Sequence, residues 1–457
     1  MKSTDNNEPE EDMMIDKKSD KKEMKKDNVS KREPINSLKG MSDRIGDRYY
    51  QMQGMFEKAQ EVAEYYGFKP IETPAMERTS VFVSGIGEGT DVVDKEMYRF
   101  SLKGGESVAL RPEYTAGIMR SYIENGMGSL PQPIMLYSYG PLWRHENPQK
   151  GRLREFHQFD LEILGSDKSI ADALIIKTLH TILNEFGFDD LVVEINSMGD
   201  KDGRPAYIKA LTNYYKKHID KMCHDCQERL KNNPLRLLDC KNELCLPFKD
   251  SAPQSISYLS SDSRKHFMEV LQYLEEMNIP YRINHGLVRG LAYYSRTVFE
   301  IIKTETDENG KERNISINGG GRYDYLAREL GSKKDVPSVG TALGFERIML
   351  FPECKQIMPR IIKTPKIYFI QLGFEAKLKS LQIIEVLRKA KIPVYQSITK
   401  DSLGAQLSMA EKMNIPNTII FGQKEAMDGT VIVRNMSTHS QDTIAIADLC
   451  DYIKHLK

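Results

Sequence analysis

Hydrophobic and polar positions along the chain change period several times, and each change marks an element. From Arg44 to Tyr66 apolar side chains fall at Ile45, Tyr49, Met52, Phe56, Ala59, Val62 and Tyr66, close to the 3.6-residue repeat of a helix. Gly67 is placed to end it, and a strand running into Pro74 follows. The clearest alternation lies between Tyr139 and Gly165. An apolar run reaches Trp143, a turn carries Asn147, Pro148 and Gly151, and an alternating strand returns, which together predict a β-hairpin. On the return strand Leu153, Phe159, Leu161 and Ile163 share one parity, the set expected to face a core. Arg154, Phe156, Gln158, Asp160 and Glu162 share the other. Ser169 to Phe186 has helical spacing, LVVEIN at 191–196 reads as a strand, and about 200–275 turns helical and Lys-rich. Beyond about 360 the short runs KIYFIQL, IPVYQSI and NTIIFG are separated by helices at about 375–390 and 403–413. TVIVRNM and DTIAIAD then form a hairpin-like pair. This alternation predicts a mostly parallel sheet covered by helices.

Composition narrows the possibilities. At 457 residues and 40% hydrophobic content the chain suggests two or three globular domains, and no run approaches the roughly 18 apolar residues of a membrane span. Sixty-five basic and 65 acidic residues cancel, so any polyanion partner has to be met by a local positive surface. Six cysteines make no disulfide scaffold, which points to a reducing compartment. The opening MKSTDNNEPE has no apolar core for secretion and is too acidic for mitochondrial import, so the cytoplasm is expected. Residues 1–36 are nearly all Lys, Asp, Glu, Asn and Ser, cannot offset their ordering entropy, and are expected to be a disordered charged tail.

Candidate chemistry clusters on a few stretches. The outward parity of the hairpin offers a stacking ring, an amide and two carboxylates on one face, rimmed by Arg144 and Arg152; taken alone, that is also an ordinary solvated face. ALRPEYT at 109–115 ends a strand and opens a helix, with Glu113 and Thr115 together; alone, Glu113 would be a helix-dipole partner. NGGGRYDY at 318–325 is a glycine run of the kind that lets backbone approach a neighbour. Cys223, Cys226, Cys240 and Cys245 form a CxxC followed by a CxxxxC, a spacing compatible with tetrahedral zinc. The reading settles on no metal at these thiols.

RHENPQKGRLREFHQ at 144–158 closely resembles motif 2 of class II aminoacyl-tRNA synthetases, in the form that histidyl-tRNA synthetases carry. RGLAYY at 289–294 resembles their histidine-specific motif, which usually reads RGLDYY and here has Ala292 in place of the aspartate. VPSVGTALGFERIML resembles motif 3, with Gly344, Glu346 and Arg347. The resemblance runs from about residue 38 to the C-terminus. It implies an α+β fold: a class II antiparallel-sheet catalytic core over 37–360 with a helical insertion at about 200–275, then an α/β anticodon-binding domain over 364–457.

By resemblance, Arg144 and Arg289 clamp the α-phosphate, and Arg152, Phe156 and Arg347 complete the ATP site with a Mg2+ ion. Phe156 and the Arg347 guanidinium would sandwich adenine. Glu162 and Tyr294 would read the imidazole of L-histidine, with Glu113, Thr115 and Gln158 on its amino end and Tyr293 and Tyr323 in the wall. Gln149 would meet the acceptor end of tRNA(His), and the long first helix implies a homodimer. Two other readings share the fold: the regulatory subunit of ATP phosphoribosyltransferase, which generally lacks the anticodon domain and has eroded motifs, and a tRNA-binding sensor module joined to a kinase. The clustered arginines and the C-terminal αβ pattern favour the synthetase, and no kinase signature accompanies them.

Overall fold

The computed structural model describes residues 35–456, apart from 88, 150, 307–311, 361–364, 397 and 399. The expected tail falls almost wholly outside these residues. The chain separates into a segment ending at Leu38 and a body beginning at Lys39.

The body is built on an eight-stranded sheet. Its strands are β1 (Lys69–Pro70), β5 (Ile134–Trp143), β6 (Glu155–Leu164), β7 (Leu191–Ser197), β8 (Tyr281–Ile283), β9 (Ser295–Thr306), β10 (Glu312–Arg322) and β11 (Ser338–Gly344), in the order β1-β5-β6-β11-β10-β9-β7-β8. The five inner pairings are antiparallel, and only the edges, β1 on β5 and β8 on β7, are parallel. A small antiparallel sheet of β2 (Met76–Arg78), β3 (Arg99–Ser101) and β4 (Ser107–Leu110) leads into α3 (Thr115–Glu124).

One face of the large sheet packs on helices. Phe159, Leu161 and Ile163 of β6 meet Met52, Met55, Ala59 and Ala63 of α1 (Asp47–Tyr65) and the buried side of α4 (Ser169–Glu185) in one core. The predicted parity of the return strand therefore holds within β6. It fails at Leu153, which precedes the strand and lines a cavity instead of the core; alternation ends where the ladder ends. Of the apolar stripe, Met52 and Ala59 are buried and Phe56, Val62 and Tyr66 pack against the core. Ile45 just before α1, Tyr49 in its first turn and Tyr65 beside the stripe are 78%, 51% and 85% exposed.

The stretch expected as an insertion holds α5 (Arg204–Lys216), α6 (His224–Asn232), α7 (Leu246–Lys249) and α8 (Ser261–Glu276). Of these, α8 belongs to the main core, because Phe267, Val270, Leu271 and Leu274 repeat at helical spacing and pack beside α4.

A five-stranded sheet forms the C-terminal part: β13 (Val394–Gln396), β12 (Ile367–Gln371), β14 (Asn417–Phe421), β15 (Thr430–Asn435) and β16 (Gln441–Ala445). Two pairings are parallel and two antiparallel, so the sheet is mixed rather than mostly parallel. The C-terminal hairpin adds as many antiparallel ladders as the crossovers add parallel ones.

Candidate active site

The other face of the large sheet floors a cavity of about 390 Å³. Because side chains alternate across a strand, β6 sends Phe156, Gln158 and Asp160 into it from one face. The loop before β9 adds Arg289, Leu291, Tyr293 and Tyr294. Gly319 of β10 and Gly340 of β11 form bare floor, and Arg347 enters from the short helix Phe345–Ile348. The two tyrosines lie just before β9 rather than on it.

Glycine keeps the floor bare, so that two functional side chains can cross it. A Cβ at Gly319 would land on the Arg289 guanidinium, and one at Gly340 on the Glu162 carboxylate.

Four arginines line the interior of this cavity, Arg144, Arg152, Arg289 and Arg347, and a fifth, Arg236, stands at its rim. Arg144 is steered by its Nε, which donates to the Pro112 carbonyl at 2.9 Å, and its guanidinium lies 5.4 Å from the Phe156 ring centre. In this state Arg144, not Arg347, covers that ring. Arg289 pairs with Glu300 on β9 and lies 5.8 Å from the Tyr294 ring centre, while its buried Nε has no partner among the described residues. Burial and the neighbouring Arg152 both push the Arg347 guanidinium down from its ordinary pKa. Two cations held this close suit a polyanion.

Three acids meet on the opposing set of residues. Glu113 accepts from the amides of Thr115 and Ala116 at 2.8 Å each, so it caps α3 while it lines the cavity. Asp160 is buried, and burial followed by the charges of Glu162 and Glu113 raises its carboxyl well above the usual range. Asp160 Oδ1 and Gln158 Oε1 are acceptors with no partner among the described residues. Unpaired acceptors in a negative wall invite a cationic donor.

Glu162 departs from its expected role. Thr115 Oγ1 donates to its Oε1 at 2.6 Å and the Tyr323 hydroxyl donates to its Oε2. The residue is buried and is not part of the cavity lining. It stands one layer behind Thr115 and Tyr323 and fixes both, instead of meeting a ligand itself. The register alone could not reveal this, because parity gives a face and not a depth.

Burial pushes the Glu162 carboxyl up to about 8. A raised folded-state pKa contributes stability that is complete below the unfolded value near 4.5 and is lost as pH climbs through about 8. Denaturant titrations between those limits should therefore show wild type losing more stability with pH than Glu162→Gln. Parallel pH profiles for the two proteins would contradict the assignment.

Of the other residues expected at the site, Glu113, Thr115, Gln158, Tyr293, Tyr294 and Tyr323 share the cavity with the four arginines and Phe156. Tyr293 packs against both Tyr294 and Tyr323, with ring centres 4.7 and 5.6 Å away. Gln149 lies outside it, exposed at the hairpin turn where it bridges to Arg152. Ala292 is also not part of the lining; its amide donates to the Ile86 carbonyl at 3.0 Å.

Sequence reasoning placed Asp160 on the face that becomes the wall but assigned it no role, and did not foresee Glu300 as the partner of Arg289. It also missed Asp91 and Arg236, which line the rim and pair at 2.5 Å. Nothing local signals that last pair, whose members are 145 positions apart.

An antiparallel sheet carrying a motif 2 hairpin, with an arginine-lined cavity on its open face, defines a class II aminoacyl-tRNA synthetase. A family model described as histidyl-tRNA synthetase matches residues 40–199, and one described as an anticodon-binding domain matches 366–456. A histidine–tRNA ligase from Caldicellulosiruptor bescii is 37% identical over 420 residues, covering 92% of this chain and 98% of that protein. One from Fervidobacterium nodosum is 40% identical over 405 residues, 88% and 94% of the respective chains. The crystal structure of apo S. aureus histidyl-tRNA synthetase superposes with a TM-score of 0.75 at 30% identity, covering 92% of this chain and all of that one. The chain belongs to the histidyl-tRNA synthetase family.

Proposed function

We propose that this chain ligates L-histidine to tRNA(His) at the expense of ATP, through a histidyl-adenylate. The supporting observation is that one cavity joins four arginines to an acid-and-tyrosine wall. In the first step the histidine carboxylate attacks the α-phosphorus and pyrophosphate leaves. Arg144 and Arg289 are assigned to the oxygens of that phosphorus, where fixed cations stabilise developing charge without reorganising. Arg152 and Arg347 take the outer phosphates, and Phe156 the adenine face once Arg144 has moved onto phosphate.

The ammonium group goes to the unpaired acceptors of Gln158 and Asp160, with Glu113 behind them. Tyr293, Tyr294 and Tyr323 wall the imidazole, and Glu162 holds Thr115 and Tyr323 in place. Such polar complementarity rejects analogues that leave buried groups unpaired. In the second step the histidyl group passes to the terminal ribose of the tRNA, whose acceptor end is assigned to the hairpin turn with Gln149. The C-terminal domain takes the anticodon.

Class II synthetases generally use ATP with a divalent metal, and Mg2+ is the ion we assign. The hard oxygens of Glu96 and Glu146 fit it: both line the cavity, and after burial the Glu146 charge raises the Glu96 carboxyl further. When bound, Mg2+ neutralises charge on the phosphates. The exposed apolar residues along α1 support a homodimer. No helix among the described residues is long and apolar enough to cross a membrane, and a cytoplasmic location is assigned because the six cysteines stand as free thiols, as in a reducing compartment.

Purified protein should catalyse pyrophosphate exchange that depends on histidine and charge tRNA(His). A folded, ATP-binding protein with no histidine-dependent exchange would remove the enzyme reading and leave a regulatory relative.

A further inference from the structure

Away from the cavity, α6, the 3-10 helix Pro234–Asp239 and the start of α7 bring together four thiols widely spaced in sequence. The sulfurs of Cys223, Cys226, Cys240 and Cys245 all lie within 4.8 Å of one another, and three of the four residues are buried. Cys223 Sγ is 3.8 Å from Cys240 Sγ, and Cys245 Sγ is 3.8 Å from Cys226 Sγ. None of these cysteines is disulfide-bonded, and the spacing is nearly twice the roughly 2.05 Å of an S–S bond.

It does match a different object. Four sulfurs at ~2.3 Å from a tetrahedral zinc ion stand about 3.8 Å apart along each edge. The backbone is arranged for such an ion as well. The Cys223 amide donates to Cys245 Sγ at 3.3 Å, and the Cys223 carbonyl accepts from the amides of Cys226 and Gln227 at 3.0 and 3.2 Å. This is a knuckle that aims the first two thiols at one point.

We propose that these four cysteines form a structural zinc site, closed on all four sides by thiolate and without an open coordination position. The sequence reading places no metal here, because relatives carrying the NPLRLLDC-like block often lack several of these thiols; their convergence in this chain is a tertiary fact. Sulfur ligation in a closed tetrahedron favours Zn2+ over hard ions such as Mg2+ or Ca2+.

The site has a structural task. Between Cys226 and Cys240 the chain carries Leu235, Leu237 and Leu238, buried in the core beside the cavity, and Arg236, which reaches out to Asp91 at the cavity rim. The ion fastens both ends of this segment and so holds Arg236 at the mouth of the active site.

The test uses the full chain, purified without chelator. Elemental analysis should find about one zinc per chain. Protein refolded with Co2+ in its place should show thiolate-to-metal charge-transfer absorption. Cys226→Ser and Cys240→Ser should lose most of the zinc and that absorption, while Cys450→Ser, outside the cluster, should keep both. Should the serine variants fail to fold, the metal content and Co2+ spectrum of the unaltered chain still decide the matter. A folded chain that takes up no zinc from excess Zn2+, two disulfides among these cysteines in the native protein, or iron in place of zinc would each overturn the proposal. None of these readouts depends on aminoacylation.

Discussion

Arg289→Ala is expected to lower histidine-dependent pyrophosphate exchange by roughly 10²–10³-fold, the usual effect of removing one fixed donor from a developing oxyanion. The fold should survive. The Arg289 side chain is partly exposed, and its one ion pair among the described residues is with the equally exposed Glu300. Beside it, β9 and β10 are held by an antiparallel ladder that resumes on both sides of its two register shifts. In the free protein Glu300 occupies the guanidinium that phosphate is to take, so binding ATP exchanges one anion for another without leaving the arginine bare. The loss should appear in kcat more than in the KM for histidine, since the wall proposed to take histidine is built from Gln158, Asp160 and the tyrosines. A variant that exchanges at near-normal rates, with an unchanged circular dichroism spectrum, would remove Arg289 from the phosphate clamp.

The second large effect concerns stability. Arg322 at the end of β10 is 0% exposed, as is its main partner Asp172 on α4. Its Nε and Nη2 donate to Asp172 Oδ2 at 3.0 and 2.7 Å, its Nη1 donates to Asp324 at 2.9 Å and to the Ser166 carbonyl at 2.8 Å, and Nη2 also meets the Lys168 carbonyl at 3.2 Å. His266 on α8 completes the cluster at 3.2 Å from Asp172. Burial works to raise the Asp172 carboxyl, but Arg322 and His266 more than offset it and hold the group well below the usual carboxylate range.

Arg322→Ala would leave Asp172 facing only His266, and Asp324 only Arg296 at 3.8 Å, in place of the guanidinium both share. The expected cost is about 3–5 kcal/mol, read as a lower denaturation midpoint of the catalytic domain. The sign with pH follows: a depressed carboxylate contributes stability above its unfolded pKa and loses it as pH falls through the folded one. The variant's deficit should therefore shrink in strong acid. A midpoint close to wild type at neutral pH would show the cluster to be dispensable.

Arg322 also marks where the sequence stops being informative. In NGGGRYDY the glycines could be read, because a missing Cβ has a local meaning. The arginine that directly follows them could not, because its partner lies 150 residues away. Period-2 alternation found the wall of the site at Phe156, Gln158 and Asp160, since a strand's two faces are fixed by its own geometry. It erred at Leu153, outside the ladder, and it could not separate Glu162 from Asp160 by depth. Helical spacing found α1 and α4 directly. It could not say that α8 leaves the insertion for the main core, because an amphipathic stripe does not name what covers it. The thiols were visible as a spacing, and only the fold brings them to one point.

The bare ridge of β10 has one last consequence. Gly319 makes room for the Arg289 guanidinium, Gly320 for the β11 backbone and Phe299, and Gly321 for Tyr294. Three neighbouring positions thus guard, in turn, the proposed phosphate clamp, sheet closure and the proposed amino-acid wall. A single methyl group added anywhere along this short run trespasses on a different task each time. Room for a differently shaped ligand is therefore to be sought on the strands to either side rather than along these three positions.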